Sequence, residues 1–257
     1  MKKLTLSLLC AGLIATVAMA EDMCNATYQA GNYTQSEQCY IKQLKTERSY
    51  NNLFRAGVSL AKQQRYQEAL PYLIEAEKKA SSLGDFAAIY SWLGAIYNNL
   101  GNSKQTYAYL MKQLEINLKL GDTNNIATSY NNLGLYYQGE AQPKKALEFY
   151  EKALNYKEES QKGTIYNNLA FLYENMGDVK KAEEMYLKAI VNDEKSGNYT
   201  NLGIHKSNLG IFYFNQSRYN EAKVALNEAL VIAQKQGLKE TEANTLEALA
   251  AIEKAKK

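Results

Sequence analysis

The chain has 257 residues, 46% of them apolar, and a formal charge of +3. Its 30 basic and 27 acidic residues are interleaved along the sequence, which lacks the basic patch that nucleic acids or anionic lipids require. With two prolines and abundant apolar residues, the chain can form an ordered, mainly helical core.

The first 20 residues have the pattern of a secretory signal peptide. Lys2 and Lys3 precede an apolar stretch over residues 4–17, and Ala-Met-Ala at 18–20 forms a small-x-small cleavage site. We therefore predict that residues 1–20 are removed and that the mature domain comprises residues 21–257. A membrane anchor is disfavoured because the apolar stretch is shorter than the roughly 20 residues that span a bilayer.

Lipidation at Cys10 is the other alternative for the N-terminus. Leu9 stands where the lipoprotein pathway expects a small residue, and the apolar stretch before Cys10 is short. We therefore expect a protein of the periplasm or the secreted fraction, with no integral membrane segment after processing.

Two cysteines, Cys24 and Cys39, would remain in the mature chain. An even number of cysteines in an exported protein favours a disulfide over free thiols. Their separation of fifteen residues fits two antiparallel helices joined by a turn at Gly31, and closing such a loop contributes about 3 kcal/mol.

An internal repeat covers the rest of the sequence. It is clearest in Tyr-Asn-Asn-Leu-Gly at 130–134, Tyr-Asn-Asn-Leu-Ala at 166–170 and Ser-Asn-Leu-Gly at 207–210. We call the small residue that ends each motif the anchor, and successive anchors are 33 to 40 residues apart. The anchors are Cys24, Gly57, Gly94, Gly134, Ala170, Gly210 and Ala250.

Each repeat predicts a pair of helices. Aromatic residues or leucine recur four before and three after the anchor, which is one face of a first helix. Alanines twelve and nineteen after the anchor, with Tyr or Leu at sixteen, define a second helix whose large side chains we expect to fill the space between hairpins. Turns are predicted at Gly101 and Gly177. Left-handed helix ends are predicted at Gly84, Gly121, Gly197 and Gly237, and a kink or late helix start at Pro71.

These residues and their spacing resemble the tetratricopeptide repeat family, in a variant with longer repeats. The resemblance covers nearly all of residues 24–257 and implies an all-α fold: a right-handed superhelical solenoid of about six antiparallel helix hairpins plus a C-terminal capping helix from Thr241. It also implies that one face of the first helices lines a concave groove that holds an extended peptide.

The positions two before, one after and five after each anchor lie on that face. Several are asparagines, which resemble the asparagine ladder of some tetratricopeptide proteins, since an amide can pair with both the N–H and the C=O of a peptide. The alternative is that asparagine is simply common in this chain. The candidate peptide-binding residues are Trp92, Asn99, Asn132, Leu135, Asn168, Phe171, Asn175, Asn208, Ile211 and Asn215.

Two apolar candidates have an equally plausible structural explanation. Phe171 and Ile211 fit burial between hairpins as well as contact with a ligand. Trp92 is of the residue type enriched at binding hot spots.

An enzymatic function is disfavoured. The single histidine, His205, is expected on the surface of a first helix, and no nucleophile has a histidine partner. No cofactor or metal motif is present in the sequence.

We therefore expect a non-catalytic protein–protein interaction scaffold of the bacterial envelope. The alternative is a structural subunit that assembles through its second helices or its ends. Peptidoglycan-related binding ranks below both. It is linked to some exported helical-repeat proteins that have a disulfide in every hairpin, whereas only the first hairpin of this chain has a cysteine pair.

Overall fold

The computed structural model describes residues 23–255, apart from the side chain of Ser160. The predicted signal peptide, residues 1–20, lies outside the described residues. The chain divides into two compact units, an N-terminal unit that ends at Leu120 and a C-terminal unit that begins at Gly121.

The N-terminal unit contains three helix hairpins. The first pairs helix α1, described over residues 23–29, with α2, and the later hairpins pair α3 with α4 and α5 with α6. The bounds are α2 Tyr33–Gln43, α3 Tyr50–Lys62, α4 Tyr66–Glu77, α5 Leu83–Asn99 and α6 Ser103–Leu120.

The C-terminal unit contains three further hairpins and a closing helix. The bounds are α7 Thr123–Gly139, α8 Pro143–Tyr156, α9 Gly163–Asn175, α10 Val179–Ser196, α11 Tyr199–Asn215, α12 Tyr219–Gln236 and α13 Lys239–Ala255. A single 3₁₀ turn, Glu159–Gln161, connects α8 to α9. The prediction of an all-α repeat fold with six hairpins and a capping helix is confirmed over residues 23–255.

A disulfide joins the two helices of the first hairpin, as predicted. Cys24 is fully buried and its Cα lies 5.4 Å from that of Cys39. The bond links α1 to α2 in the hairpin with the weakest repeat pattern.

Most of the predicted helix ends are confirmed, but the one at Gly84 is wrong, and so is the late helix start that was one of two alternatives at Pro71. Gly121, Gly197 and Gly237 have positive φ values near 70° and follow second helices. Gly84 instead lies in the first turn of α5, because α4 already ends at Glu77 and Ser82 caps α5. Pro71 does not delay a helix start, since α4 begins at Tyr66 and continues through it.

The anchor glycines allow close packing within each hairpin. A Cβ atom built on Gly57 would lie 2.7 Å from Leu73 Cγ, and one built on Gly210 would lie 2.6 Å from Leu226 Cγ. The large residue sixteen positions after the anchor thus rests on its own first helix. This corrects the expectation that these side chains mainly fill the space between hairpins.

None of the helices within residues 23–255 is long and apolar enough to cross a lipid bilayer.

Candidate functional site

The first helices of the C-terminal unit form a groove. It has a volume of about 380 Å³ and is lined by residues from α7, α9 and α11, with one side chain from α10 at its base. Six of the predicted peptide-binding residues line it: Leu135, Asn168, Phe171, Asn208, Ile211 and Asn215. Gln138, Asn167, Glu174, Tyr186 and Phe212 complete the lining.

Asparagine side chains connect neighbouring hairpins along this groove. Asn168 Nδ2 donates to Asn131 Oδ1 at 2.9 Å, and Asn208 Nδ2 donates to Asn167 Oδ1 at 3.0 Å. Each donor amide uses one N–H in this way and retains a second N–H and its carbonyl oxygen. The amides are thus held in place by one another while keeping hydrogen-bonding capacity toward the groove.

Apolar side chains flank the amides. Phe171 is 51% exposed and Leu135 is 45% exposed, whereas Ile211 is half-buried. For Phe171 the explanation by burial is therefore wrong, and about half of its surface faces solvent. Neighbouring exposed apolar side chains in a concave site are a common feature of binding surfaces.

A carboxylate lies at the base of the groove. Glu174 Oε2 accepts a hydrogen bond from the Tyr186 hydroxyl at 3.0 Å, and Glu174 Oε1 accepts one from Asn215 Nδ2 at 3.3 Å. Burial, reinforced by the charge of Glu174 and this hydrogen bond, raises the pKa of Tyr186 far above its ordinary value. The tyrosine consequently remains a proton donor to the carboxylate.

Four predicted residues lie outside the lining of this groove. Asn132 is half-buried on α7, and Asn175 is exposed at the end of α9. The other two belong to the N-terminal unit. Asn99 donates to the Ala95 carbonyl at 2.8 Å, and Trp92 is half-buried against the core with Lys62 Nζ 5.3 Å from its ring. Their role in binding stays a prediction.

Several residues of the groove were not predicted from the sequence. Asn167 could have been found, because the doubled asparagine recurs in Tyr-Asn-Asn-Leu at 130–133 and 166–169. Glu174 and Tyr186 gave no such signal, since a glutamate near a helix end and a tyrosine at a core position are both ordinary features of this repeat.

His205 is buried, and the prediction of a surface position is wrong. Its exposed fraction is 4%, and its Nδ1 atom lies 2.6 Å from Oδ2 of Asp193, which is equally buried. Asp193 lies on α10 and His205 on α11. Asp193 also lines a polar pocket of about 470 Å³, together with residues such as Gly163, Thr164 and Asn198. The pair therefore connects the hairpins of α10 and α11.

Within residues 23–255, no group of three or more His, Cys, Asp or Glu side chains is placed to hold a metal ion.

Three stretches of the sequence match models of the tetratricopeptide repeat, at residues 85–159, 163–195 and 205–235. Together they cover more than half of the chain, and they include all the residues that line the groove. The chain belongs to the tetratricopeptide repeat family, which confirms the resemblance seen in the sequence. Members of this family bind protein partners and are typically non-catalytic scaffolds.

Solved structures with this fold are similar along most of the chain. BtubC (BKLC) from P. vanneervenii is 19% identical with a TM-score of 0.61, over 86% of this chain and 91% of that protein. A signal transduction ATPase with a tetratricopeptide repeat sensor, from Pyrococcus horikoshii, is 18% identical with a TM-score of 0.67, over 84% and 34%.

MamA from Desulfovibrio magneticus RS-1 is also 18% identical, with a TM-score of 0.57, and the match covers 69% of this chain and 95% of that one. At these identities the similarity shows the fold alone. Among curated protein sequences, no relative matches the chain.

Proposed function

We propose that this protein is a non-catalytic scaffold that binds an extended segment of a partner protein in the groove of its C-terminal unit. The observation that supports this most is the convergence of Asn168, Asn208 and Phe171 in one groove, with donor and acceptor atoms beside exposed apolar surface. An extended peptide presents both kinds of surface, since its backbone N–H and C=O groups alternate with side chains.

The contribution of the amides to binding is separable from their contribution to packing. Asn168→Ala removes an amide from the groove and also the hydrogen bond to Asn131. Asn131→Ala removes the same hydrogen bond, although Asn131 does not line the groove. Both variants should lower the free energy of unfolding by about 1 kcal/mol. Asn168→Ala should in addition bind the peptide more weakly than Asn131→Ala does.

The proposal can be tested with peptides selected from a phage-displayed random 12-residue library on the purified wild-type chain. Fluorescence anisotropy with a selected, labelled peptide would then give Kd for each variant. We expect Phe171→Ala to raise Kd about tenfold and Asn168→Ala to raise it more than Asn131→Ala does. A Kd that is the same in wild type, Phe171→Ala and Asn168→Ala would contradict binding in this groove.

Export to an oxidising compartment is part of the same proposal. The signal-like pattern of residues 1–20 supports it, and so does the Cys24–Cys39 disulfide, because such bonds persist mainly outside the cytosol. Intact-mass analysis of the protein from fractionated bacterial cells should find a chain that begins at Glu21, in the periplasmic or secreted fraction. A full-length chain in the cytosolic fraction would contradict export.

A second candidate function, structural assembly through the second helices, is favoured by one observation. Leu187 and Val191 of α10 are 45% and 46% exposed and line a mainly apolar groove of about 620 Å³ beside Tyr166. If this surface joins two copies of the chain, light scattering should show a dimer that Leu187→Glu converts to a monomer. A wild-type monomer at high concentration would exclude self-assembly of this kind.

A further inference from the structure

The groove contains a single carboxylate among its described lining residues. Of the described residues that line it, Glu174 alone has a carboxylate or a basic group, and the rest are apolar, amide or tyrosine side chains. Within residues 23–255, no lysine, arginine or histidine nitrogen lies within 4 Å of its carboxylate. Other carboxylates of this unit do have such partners, as Glu183 does in Arg218 at 2.6 Å.

The Glu174 carboxylate is positioned but not neutralised. The Tyr186 hydroxyl and the Asn215 amide each donate one hydrogen bond to it, and both donors are neutral groups. A carboxylate offers about four acceptor sites, so roughly half of its capacity remains for a ligand. The nearly buried Tyr186 ring, 3% exposed, restricts where the carboxylate can move.

A bound peptide would change the surroundings of this charge. Covering the groove removes water from Glu174, and removing water from an unpaired charge is unfavourable. A lysine or arginine of the peptide would offset that cost with a charge-assisted hydrogen bond, whereas an acidic residue would add repulsion. The half-exposed Phe171 and Leu135 beside this position favour apolar residues next to the basic one.

We infer that the groove selects a segment in which a lysine or arginine, flanked by apolar residues, pairs with Glu174. This inference rests on the proposed function and adds to it the chemical class of the partner segment. It commits to a basic-apolar peptide, and charge complementarity is the observation that selects this occupant over a neutral or acidic one.

The test compares three forms of the full chain: wild type, Glu174→Gln and Glu151→Gln. The glutamine at 174 keeps an oxygen that can accept from Tyr186 and removes only the charge. Glu151 is an exposed carboxylate on α8 outside the groove, so Glu151→Gln is a control with the same change in net charge.

Each form is used to select from the random 12-residue phage library, and the pools are sequenced. Wild type and Glu151→Gln should enrich Lys or Arg at one position among apolar residues, and Glu174→Gln should not. A selected peptide and its Lys or Arg to Gln version are then compared by fluorescence anisotropy. The ratio of their Kd values should be about three to ten for wild type and near one for Glu174→Gln.

The possible failures differ. The inference is overturned, and peptide binding stands, if peptides selected on wild type bind Phe171→Ala more weakly but show no preference for Lys or Arg. The same conclusion follows if the Kd ratio in Glu174→Gln equals that in wild type. If the selected peptides bind Phe171→Ala as tightly as wild type, the proposed function fails together with the inference. Rising NaCl should also weaken the basic peptide more than its glutamine version, and an equal effect of salt on both would oppose the pairing.

Discussion

Replacing the anchor Gly134 by alanine tests how tightly the hairpins beneath the groove are packed. A Cβ atom on Gly134 would lie 2.5 Å from Tyr150 Cε1, far inside the 3.5–4.0 Å at which carbon atoms normally rest. Gly139, five residues later on the same helix, has nothing within 4 Å of a built Cβ and a normal helical φ. Gly139→Ala is therefore a matched control for the change in helix propensity.

The expected magnitude follows from two opposing effects. Alanine in place of glycine stabilises a helix interior by roughly 0.5–1 kcal/mol, as at Gly134, and by up to that amount at Gly139, the last residue of α7. At Gly134 the added methyl group also forces the fully buried ring of Tyr150 to move, which typically costs about 1–3 kcal/mol. That movement strains the 2.8 Å hydrogen bond from the Tyr150 hydroxyl to Gln138 of the groove, worth about 1 kcal/mol more.

We expect Gly134→Ala to lower the free energy of unfolding by about 1–3 kcal/mol and Gly139→Ala to raise it by up to about 1 kcal/mol. Urea denaturation followed by circular dichroism measures both values, and hydrogen exchange of α7 and α8 shows whether the loss is local to this hairpin. Equal stability of the two variants would refute the reasoning, because it would mean that Tyr150 moves aside at no cost.

Three further predictions concern the links between elements. His205→Ala should lower the free energy of unfolding by about 3 kcal/mol, measured by urea denaturation, because it leaves the buried Asp193 carboxylate without this partner. A loss below about 0.5 kcal/mol would contradict a structural role for the pair. Hydrogen bonding to Arg218 lowers the pKa of Glu183, so this pair should stabilise the fold above the unfolded pKa of about 4.3 and lose its effect as the pH falls below that value. The difference in free energy of unfolding between wild type and Arg218→Met should therefore shrink on acidification. A constant difference from pH 7 to pH 3 would contradict this. Reducing the disulfide should lower the free energy of unfolding by about 3 kcal/mol. It should raise hydrogen exchange mainly in residues 23–43, because each repeat is stabilised by contacts with its neighbours. A uniform increase in exchange along the chain would contradict that local effect.

The sequence predicted the helices and their pairing well because those depend on local patterns. The spacing of Gly134 and Tyr150 recurs in other hairpins, and a period shared by several copies is a strong signal. Gly84 was misassigned because a glycine can end one helix or stand in the first turn of the next, and the cap at Ser82 decides between the two. That choice depends on where α4 stops, which no single residue specifies.

The site was predicted in part, for a different reason. Helical spacing identified the groove face and thereby Phe171 and Asn208, but it could not give exposure or partners. His205 was misplaced because its partner Asp193 lies on another helix, and a contact of that kind leaves no periodic pattern. Glu174 was overlooked for the same reason, since its partners Tyr186 and Asn215 lie on other helices.

The cross-hairpin amides also explain where the polar part of the groove ends. Asparagine suits the pattern because one amide can donate to the preceding hairpin and still present a donor and an acceptor to a ligand, as Asn168 and Asn208 do. On α11 the position equivalent to Asn167 is Ser207, which carries a single donor and is buried against Thr245 of α13 at 2.8 Å. That hydroxyl pair joins the closing helix and leaves nothing to bind a ligand, so the polar surface that we propose for peptide binding extends over α7, α9 and α11 and stops at the capping helix.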